Sequence, residues 1–428
     1  MSTLFEFSND LDLGTEFNEL FRRVENSRDS FFITGKAGTG KSTFLKFFSK
    51  KTKKKFVILA PTGIAALNVS GQTIHSFFKF PPRIITDSHV KKMENNKMYS
   101  RIECIIIDEA SMIRADLMDG IDKFMRLNGK DSKLPFGGCQ LLLFGDLFQL
   151  PPVANDSEYI FSNYYASPYF FDAKCFKKFN LNTVELDKIY RQKEEDFISI
   201  LNEIRNGDIS DESLRIINSR VSREPDDSLI LTCNNWHASN INKMRIEKLP
   251  GNKKVLNGEV AGELKEFPVD KDLELKIGAK VMIVKNHPDF LYYNGSIGLV
   301  HDISKDLITV KLGAGFVGIE RHTYEKIKYD YDERHDKIFS KTVATFKQFP
   351  LKLAYALTIH KSQGQTFDNI TIDFGSGAFA HGQAYVALSR CTSLNGLKLS
   401  KPLQKKDIII DKRINNFLNP VQKKFDDF

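Results

Sequence analysis

Tryptophan is almost missing from this sequence: Trp236 is the only one in 428 residues. Cysteine is sparse as well. The five cysteines (Cys104, Cys139, Cys175, Cys233, Cys391) form no C-x-x-C pair and have no histidine at ligand spacing. That argues against a structural zinc or a disulfide framework and fits a reducing compartment. No apolar run approaches the roughly 18 residues of a membrane span. The opening "MSTLFEFSNDLDLG" has neither a basic n-region nor a small-residue cleavage site, so no signal peptide is expected. With a phosphate loop starting at Gly35 there is little room for a transit sequence, and a cytoplasmic, bacterial-type location is the expectation. Internal repeats and low-complexity segments are also missing. A strong charge bias is absent too: 62 Lys+Arg against 54 Asp+Glu leave +8, which suits a nucleic-acid partner without demanding one.

What is present begins with "FFITGKAGTGKSTFLKFF" at 31–48. A short apolar strand precedes Gly35, Gly40, Lys41 and Ser42, which fit G-x-x-x-x-G-K-[ST], and a helix with Phe44, Leu45 and Phe48 on one face follows. The glycines let backbone N–H groups curl around phosphate oxygens, and the helix start adds partial positive charge. Lys41 is expected to reach the β- and γ-phosphates, and the Ser42 hydroxyl to ligate Mg²⁺. The chain is thus expected to bind a nucleoside triphosphate. The neighbouring "KKTKKK" (50–55) reads as a solvated helix end before a strand more readily than as a DNA patch.

Three further stretches carry chemistry. "IIIDEASM" ends a strand at Asp108-Glu109, beside the phosphate loop. There Asp108 would hold Mg²⁺ and Glu109 would orient or deprotonate the attacking water. "LLLFGDLFQLPPV" puts Gln149 just past a strand, where its amide can sense the γ-phosphate. "APTGIAALNVSGQTIHSFF" (60–78) offers Thr62, Gly63, Thr73, His75 and Ser76 as donors for phosphodiester oxygens. In the same stretch Phe77 and Phe78 serve either as stacking rings for bases or as core, and residue types leave that choice even. Arg191 in "YRQ" and Arg390 in "YVALSRC" are candidate arginine fingers.

Near-continuous apolar strands ("FFIT", "FVILA", "CIIID", "QLLLF") alternate with helical stretches over the first ~175 residues, as in a parallel sheet covered on both faces. A second such series follows with "SLILTCN", "LKLAYALTI" and "NITIDF". Between them, from about Leu273 to Gln348, short alternating strands with a hairpin signal at Asn294-Gly295 suggest an inserted small β-barrel. The expected class is therefore α/β, with two nucleotide-fold cores, one phosphate loop and a β insertion.

Taken in order, "GKAGTGKST", "APTGIAA", "GQTIHSFF", "IIDEASM", "PFGGCQLLLFGDLFQLPPV", "YRQ", "LTIHKSQGQT" and "AYVALSRC" resemble the motifs of superfamily 1 helicases, specifically the PIF-type 5'→3' DNA helicases. "ADLMDGIDKFMR" (115–126) resembles an extra signature of that group. The resemblance spans about residues 30–395. It implies two RecA-like domains, 1–175 (with a small insertion around 78–100) and 176–270 with 349–428, and an SH3-type barrel at 271–348. It also implies ATP and Mg²⁺ between the two cores and single-stranded DNA across their tops. The ATPase site it implies comprises Gly35, Gly38, Thr39, Gly40, Lys41, Ser42, Thr43, Asp108, Glu109, Gln149, Arg191, Gly364 and Arg390, and the DNA contacts Thr62, His75, His360 and Lys361. Single-strand/double-strand junctions are the implied substrates, folded G-rich DNA is a family-level expectation, and the protein is expected to be a monomer without DNA. One departure concerns the base: the family's adenine-reading Gln is missing from "LGTEFNELFRR", where Asn18 stands nearest. The rival readings are a phosphotransferase indifferent to DNA, a DNA-stimulated remodelling ATPase without unwinding, and a recombination-type helicase subunit that needs partners.

Overall fold

The structure is a computed structural model that describes residues 14–152, 164–192, 194–222, 228–264, 266–289 and 291–418. The stretch 1–13 read above for a targeting signal lies outside the described residues, as do Val153 and the residues after Leu418.

The apolar runs of the first half become β1 (Ser30–Gly35), β2 (Phe56–Ala60), β3 (Gln72–Thr73), β4 (Cys104–Ile107), β5 (Gln140–Phe144) and β6 (Leu181–Leu186). They form one parallel sheet in the order β3-β2-β4-β5-β1-β6. Side chains alternate between its faces with period two. Phe32, Ile105, Ile107, Leu141 and Leu143 enter one core, while Phe31, Ile33, Ile106, Leu142 and Phe144 enter the other. β6 pairs with β1 and so carries the first sheet past the expected limit at residue 175.

On one face lies the helix Ala115–Asn128, buried on almost every side. Its aspartates are structural. Asp116 accepts the Ile85 N–H at 2.7 Å, Asp119 the Cys175 N–H at 2.8 Å, and Asp122 the Phe136 N–H at 2.7 Å. Each carboxylate thereby satisfies a loop N–H that packing has taken from water. Phe124 of the same helix meets Tyr99 with ring centroids 4.9 Å apart and Phe78 at 5.2 Å. Phe77 and Phe78 are only 2% and 1% exposed, so the open choice at those rings resolves to core.

The second sheet contains β7 (Leu229–Thr232). Then come β8 (Lys254–Asn257), β9 (Glu259–Ala261), β10 (Asp272–Leu275), β11 (Lys280–Ile283), β12 (Ile297–Ile303), β13 (Leu307–Leu312), β14 (Gly315–Glu320), β15 (His322–Asp332), β16 (Lys337–Gln348) and β17 (Leu351–Leu353). β18 (Ala356–Thr358), β19 (Ile370–Asp373) and β20 (Leu397–Leu399) complete the second parallel sheet, in the order β18-β7-β19-β20. The run "LKLAYALTI", expected as one strand of this core, is divided. β17 pairs antiparallel with β11, and β18 pairs parallel with β7. Strand pairing in the insertion therefore extends beyond 271–348 at both ends.

Among the described residues no closed barrel forms in the insertion. Its strands form an open antiparallel sheet, β14-β13-β12-β11-β17, a pair β10-β8, and a three-stranded β15-β16-β9. Leu256, Leu273 and Leu275 of the pair share a core with Val281, Val300, Ile308 and Val310 of the open sheet. Asn294-Gly295 is not a two-residue hairpin. It forms a turn in which the Ser296 N–H donates to the Tyr293 carbonyl at 3.0 Å, with Gly295 at φ 98°, inside a longer β11–β12 loop.

The β15–β16 hairpin reaches back to the first sheet. The Tyr329 hydroxyl accepts the Ile58 N–H at 3.0 Å, and the Tyr329 N–H donates to Gln72 Oε1 at 3.1 Å. Exposed ion pairs Lys55–Asp336 (2.5 Å) and Lys97–Glu333 (2.6 Å) flank that contact. Lys54 is a structural pin, donating to the Val24 and Ser27 carbonyls and to Gln140. Lys50, Lys51 and Lys53 of "KKTKKK" stay exposed, as a solvated helix end would be.

Phe124→Ala empties the centre of the aromatic cluster and is expected to cost about 3–5 kcal/mol. Denaturant unfolding followed by circular dichroism checks this, and a loss below about 1 kcal/mol is not compatible with this packing.

Candidate functional site

The phosphate loop follows β1 as expected. It closes tightly on itself: Lys41 Nζ donates to the Gly35 and Lys36 carbonyls at 2.6 and 3.0 Å, and Thr39 Oγ1 donates to the Lys36 carbonyl at 3.0 Å. Gly38 takes φ 86°, and a Cβ there would stand 2.6 Å from Arg191 Cβ, so only glycine lets the "YRQ" segment lie this close. The Tyr190 N–H donates to the Gly38 carbonyl at 2.9 Å. Ser42 and Thr43 open the helix Lys41–Lys51.

Asp108 and Glu109 follow β4, with Asp108 9% exposed. Glu109 has φ 52°, a left-handed conformation that costs a non-glycine residue energy and turns the chain sharply after the strand. Its carboxyl is pushed up to about 7, first by burial and then by Asp108, with Lys41 and Arg390 opposing. Burial raises Asp108 as well, with Lys41 and Lys46 opposing. Burial lowers the Lys41 ammonium, which Asp146 and Glu109 partly restore.

The second core closes over these groups. Gln363 Nε2 donates to Glu109 Oε2 at 3.1 Å and to Gln149 Oε1 at 3.2 Å, and Gln149 Nε2 reaches Asp146 at 3.3 Å. The Ala37 N–H of the phosphate loop donates to the Tyr385 hydroxyl at 2.9 Å. Gly382 takes φ 68°, and a Cβ on it would stand 2.3 Å from the Phe148 carbonyl oxygen, so the loop before the helix Gln383–Leu388 can meet the Gln149 turn only as glycine.

The two arginine candidates stand together. Arg191 Nη1 donates to the Ser389 carbonyl at 3.3 Å, next to Arg390, which is 1% exposed and donates to the Val386 and Gln365 carbonyls. Burial and then the Arg390 charge lower Arg191 to about 9, and burial lowers Arg390 to about 10. Two guanidiniums whose charges oppose each other, near Lys41, favour an incoming polyanion. Arg205, which the sequence reading did not single out, lies 3.5 Å from Asp146 and over the Phe148 ring at 4.1 Å.

Every expected ATPase residue therefore belongs to one of the segments lining this cleft. Gly364 borders it through its neighbour Gln363, with open space where a Cβ would stand. Of the expected DNA contacts, Thr62 and His75 lie apart, with β4 and β5 between β2 and β1, whereas His360 and Lys361 begin the loop that carries Gln363. Thr62 caps the helix Gly63–Asn68 by accepting the Ala65 N–H at 3.2 Å. The adjacent Gly63 N–H donates to Glu266 of the insertion at 3.1 Å. His75 is half-buried, its imidazole lowered by burial and by Arg114. His360 and Lys361 are exposed beyond β18. Sequence reasoning missed Gln363, Tyr385, Asp146 and Arg205. Gln363 sits inside "HKSQGQT" and Tyr385 inside "AYVALSRC", so the motifs marked the neighbourhood without the contact.

For Mg²⁺ the fitting groups are hard oxygens. No described cluster of three or more His, Cys, Asp or Glu forms a metal cage. Asp108 and the Ser42 hydroxyl offer hard oxygens of the kind a magnesium ion takes.

A cleft of this kind, with a phosphate loop and Arg191 following strands of one parallel sheet and Arg390 supplied by the second core, defines a P-loop nucleoside triphosphatase. The PIF1-like helicase family model matches residues 13–215. The human ATP-dependent DNA helicase PIF1 is 34% identical over 390 residues, covering 86% of this chain, which spans only 58% of the human protein. Pif1 of Bdellovibrio bacteriovorus is 31% identical, over 91% of this chain and 88% of its own length. Among solved structures, Bacteroides Pif1 with ADP-AlF4 superposes with TM-score 0.88 at 35% identity, covering 96% and 97% of the two chains. A Bacteroides Pif1 bound to ssDNA gives a TM-score of 0.69 at 36% identity. The chain belongs to the PIF1-like helicase family.

Burying the Glu109 charge has a signed consequence. Without nucleotide or metal, the folded protein holds the Glu109 proton up to about pH 7, whereas the ordinary carboxyl value is 4.5. Stability from this group is full below pH 4.5 and falls as pH rises through 7. Glu109→Gln is expected to melt with wild type below that window and above it at pH 8. A Tm difference that does not change with pH would sink the assignment.

Proposed function

We propose that this chain couples ATP hydrolysis to 5'→3' movement along single-stranded DNA and separates duplex at single-strand/double-strand junctions. The observation that carries the reading is the segment His360–Gly364. Its inner residue Gln363 bonds Glu109 and Gln149 in the cleft, while His360 and Lys361 stand exposed outside. One short loop thus touches both the hydrolysis groups and the surface where a strand would run.

In this reading the backbone N–H groups of Gly35, Gly38, Thr39 and Gly40 and the Lys41 ammonium hold the phosphates, helped by Thr43 and Gly364 nearby. Ser42 and Asp108 would hold Mg²⁺, which when bound neutralises phosphate charge. Glu109 takes a proton from the attacking water, Gln149 positions that water or the γ-phosphate, and Arg191 and Arg390 stabilise the charge that develops. ATP binding closes the cleft and product release opens it. Gln363 transmits each change to His360 and Lys361, and Thr62 and His75 grip from the other core. Backbone grips carry no sequence information, so binding is sequence-tolerant and falls with salt. The two sheets act as RecA-like cores, the insertion acts as an SH3-type module beside the strand, and the protein works as a cytoplasmic monomer until it meets DNA. Among the described residues no helix is long and apolar enough to cross a membrane.

ATP hydrolysis with and without single-stranded DNA, with Lys41→Ala as control, tests the reading. Strong stimulation that disappears in the variant is expected, followed by unwinding of a forked duplex with a 5' tail. Equal rates with and without DNA would return the chain to the phosphotransferases.

Gln363→Ala separates grip from hydrolysis. We expect DNA-stimulated turnover to fall by about tenfold, within the range of coupling energies, while DNA affinity stays within about twofold. Equal losses in both would show that Gln363 does not couple the two.

A further inference from the structure

The rings first considered for base stacking, Phe77 and Phe78, are core. An exposed ring stands elsewhere. Trp236 is 74% exposed, the most exposed of the large apolar side chains among the described residues. It is also the only tryptophan in the sequence. Leaving an indole in water forgoes the burial that makes tryptophan useful, so its place in the fold matters.

That place is the carboxyl edge of the second sheet. β7 ends at Thr232, Asn234 caps the next helix by accepting the His237 N–H at 2.8 Å, and Trp236 lies in that helix's first turn. β18 is the parallel neighbour of β7, with Thr358 opposite Thr232, and His360 and Lys361 follow it directly. The Ile359 N–H donates to the Thr232 carbonyl at 2.9 Å, carrying the pairing up to His360. The helix is held along β18 by a reciprocal pair: Asn242 Nδ2 donates to the Ala356 carbonyl at 2.8 Å, and the Ala356 N–H donates to Asn242 Oδ1 at 2.9 Å. Adjacent strands lie about 4.8 Å apart, so the indole and the exposed His360 and Lys361 emerge from neighbouring strand ends. Lys352, lowered to about 8 by burial and by Lys361, adds a second cation beside them. On the other side, His237 Nε2 is 3.4 Å from Asp373, so the nearest carboxylate of β19 already has a partner.

We propose that Trp236 is the base-stacking platform of the single-stranded DNA track, its indole face holding one base while Lys361 meets the adjoining phosphate. The inference rests on the DNA-motor reading above and adds to it the ring that grips the base. Every base has a π-face, so such a platform tolerates any sequence.

A lone tryptophan makes the experiment direct, because all indole emission comes from this position. Wild-type protein is titrated with oligo(dT) carrying a distant fluorophore, reading anisotropy and indole emission together, and then with an abasic oligomer of equal length. The expected result is quenching by oligo(dT) with the same midpoint as the anisotropy, and little quenching by the abasic strand. Trp236→Ala is expected to weaken oligo(dT) binding by about 5- to 150-fold and Trp236→Phe much less, with unchanged Tm in both. If oligo(dT) binds while the emission stays constant, or if the abasic strand quenches equally, the platform is overturned and the motor reading stands. If no oligomer binds at all, the motor reading falls and the platform falls with it.

Discussion

The structure turns on a charge problem. Lys41, Arg191, Arg390 and Arg205 converge with Asp108, Glu109 and Asp146 in a cleft largely shut from water. Unlike charges offset one another only in part. The two guanidiniums next to each other and the two carboxylates after β4 are each held where charge is disfavoured. Both sheets serve to keep that set in place, since strands buried on both faces cannot shift without opening a core. A triphosphate is an anion of the kind that would offset the converging cations.

Gln363 ties the two cores together. Its amide carries no charge, yet it is bonded to Glu109 and Gln149 across the cleft. A change of either partner's bonding must be felt by the loop that holds it, three residues from His360. The insertion takes part on the opposite side, where Glu266 sets a carboxylate on the Gly63 N–H, next to Thr62. The chain's own anion thus occupies the edge where a phosphodiester is expected.

Much of this was legible in the sequence, for reasons that differ along the chain. The first sheet showed itself because strands buried on both faces must be apolar at every position, and "QLLLF" maps onto β5 residue for residue. The phosphate loop was legible because its backbone requirement fixes residue types locally. The β17–β18 division was not, since "LKLAYAL" carries no turn residue and only tertiary pairing breaks it. β8 and β9, largely exposed, gave no apolar signal at all. Whether Phe77, Phe78 or Trp236 faces water depends on what packs against them, which no local pattern states. The bond from Gln363 to Glu109 spans 254 positions and could not be read from spacing.

The placement of the insertion also governs how the polypeptide can be assembled. β7 and β18 are adjacent in the sheet, yet the entire run of β8 to β17 lies between them in sequence. Their pairing closes a very long loop, an entropic demand that a preformed insertion reduces by holding its two ends together. On the ribosome the first sheet is complete once β6 has emerged, whereas the second has to wait for β20. An early folding first core, an insertion docked on it through Tyr329 and a late second core would then appear in that order.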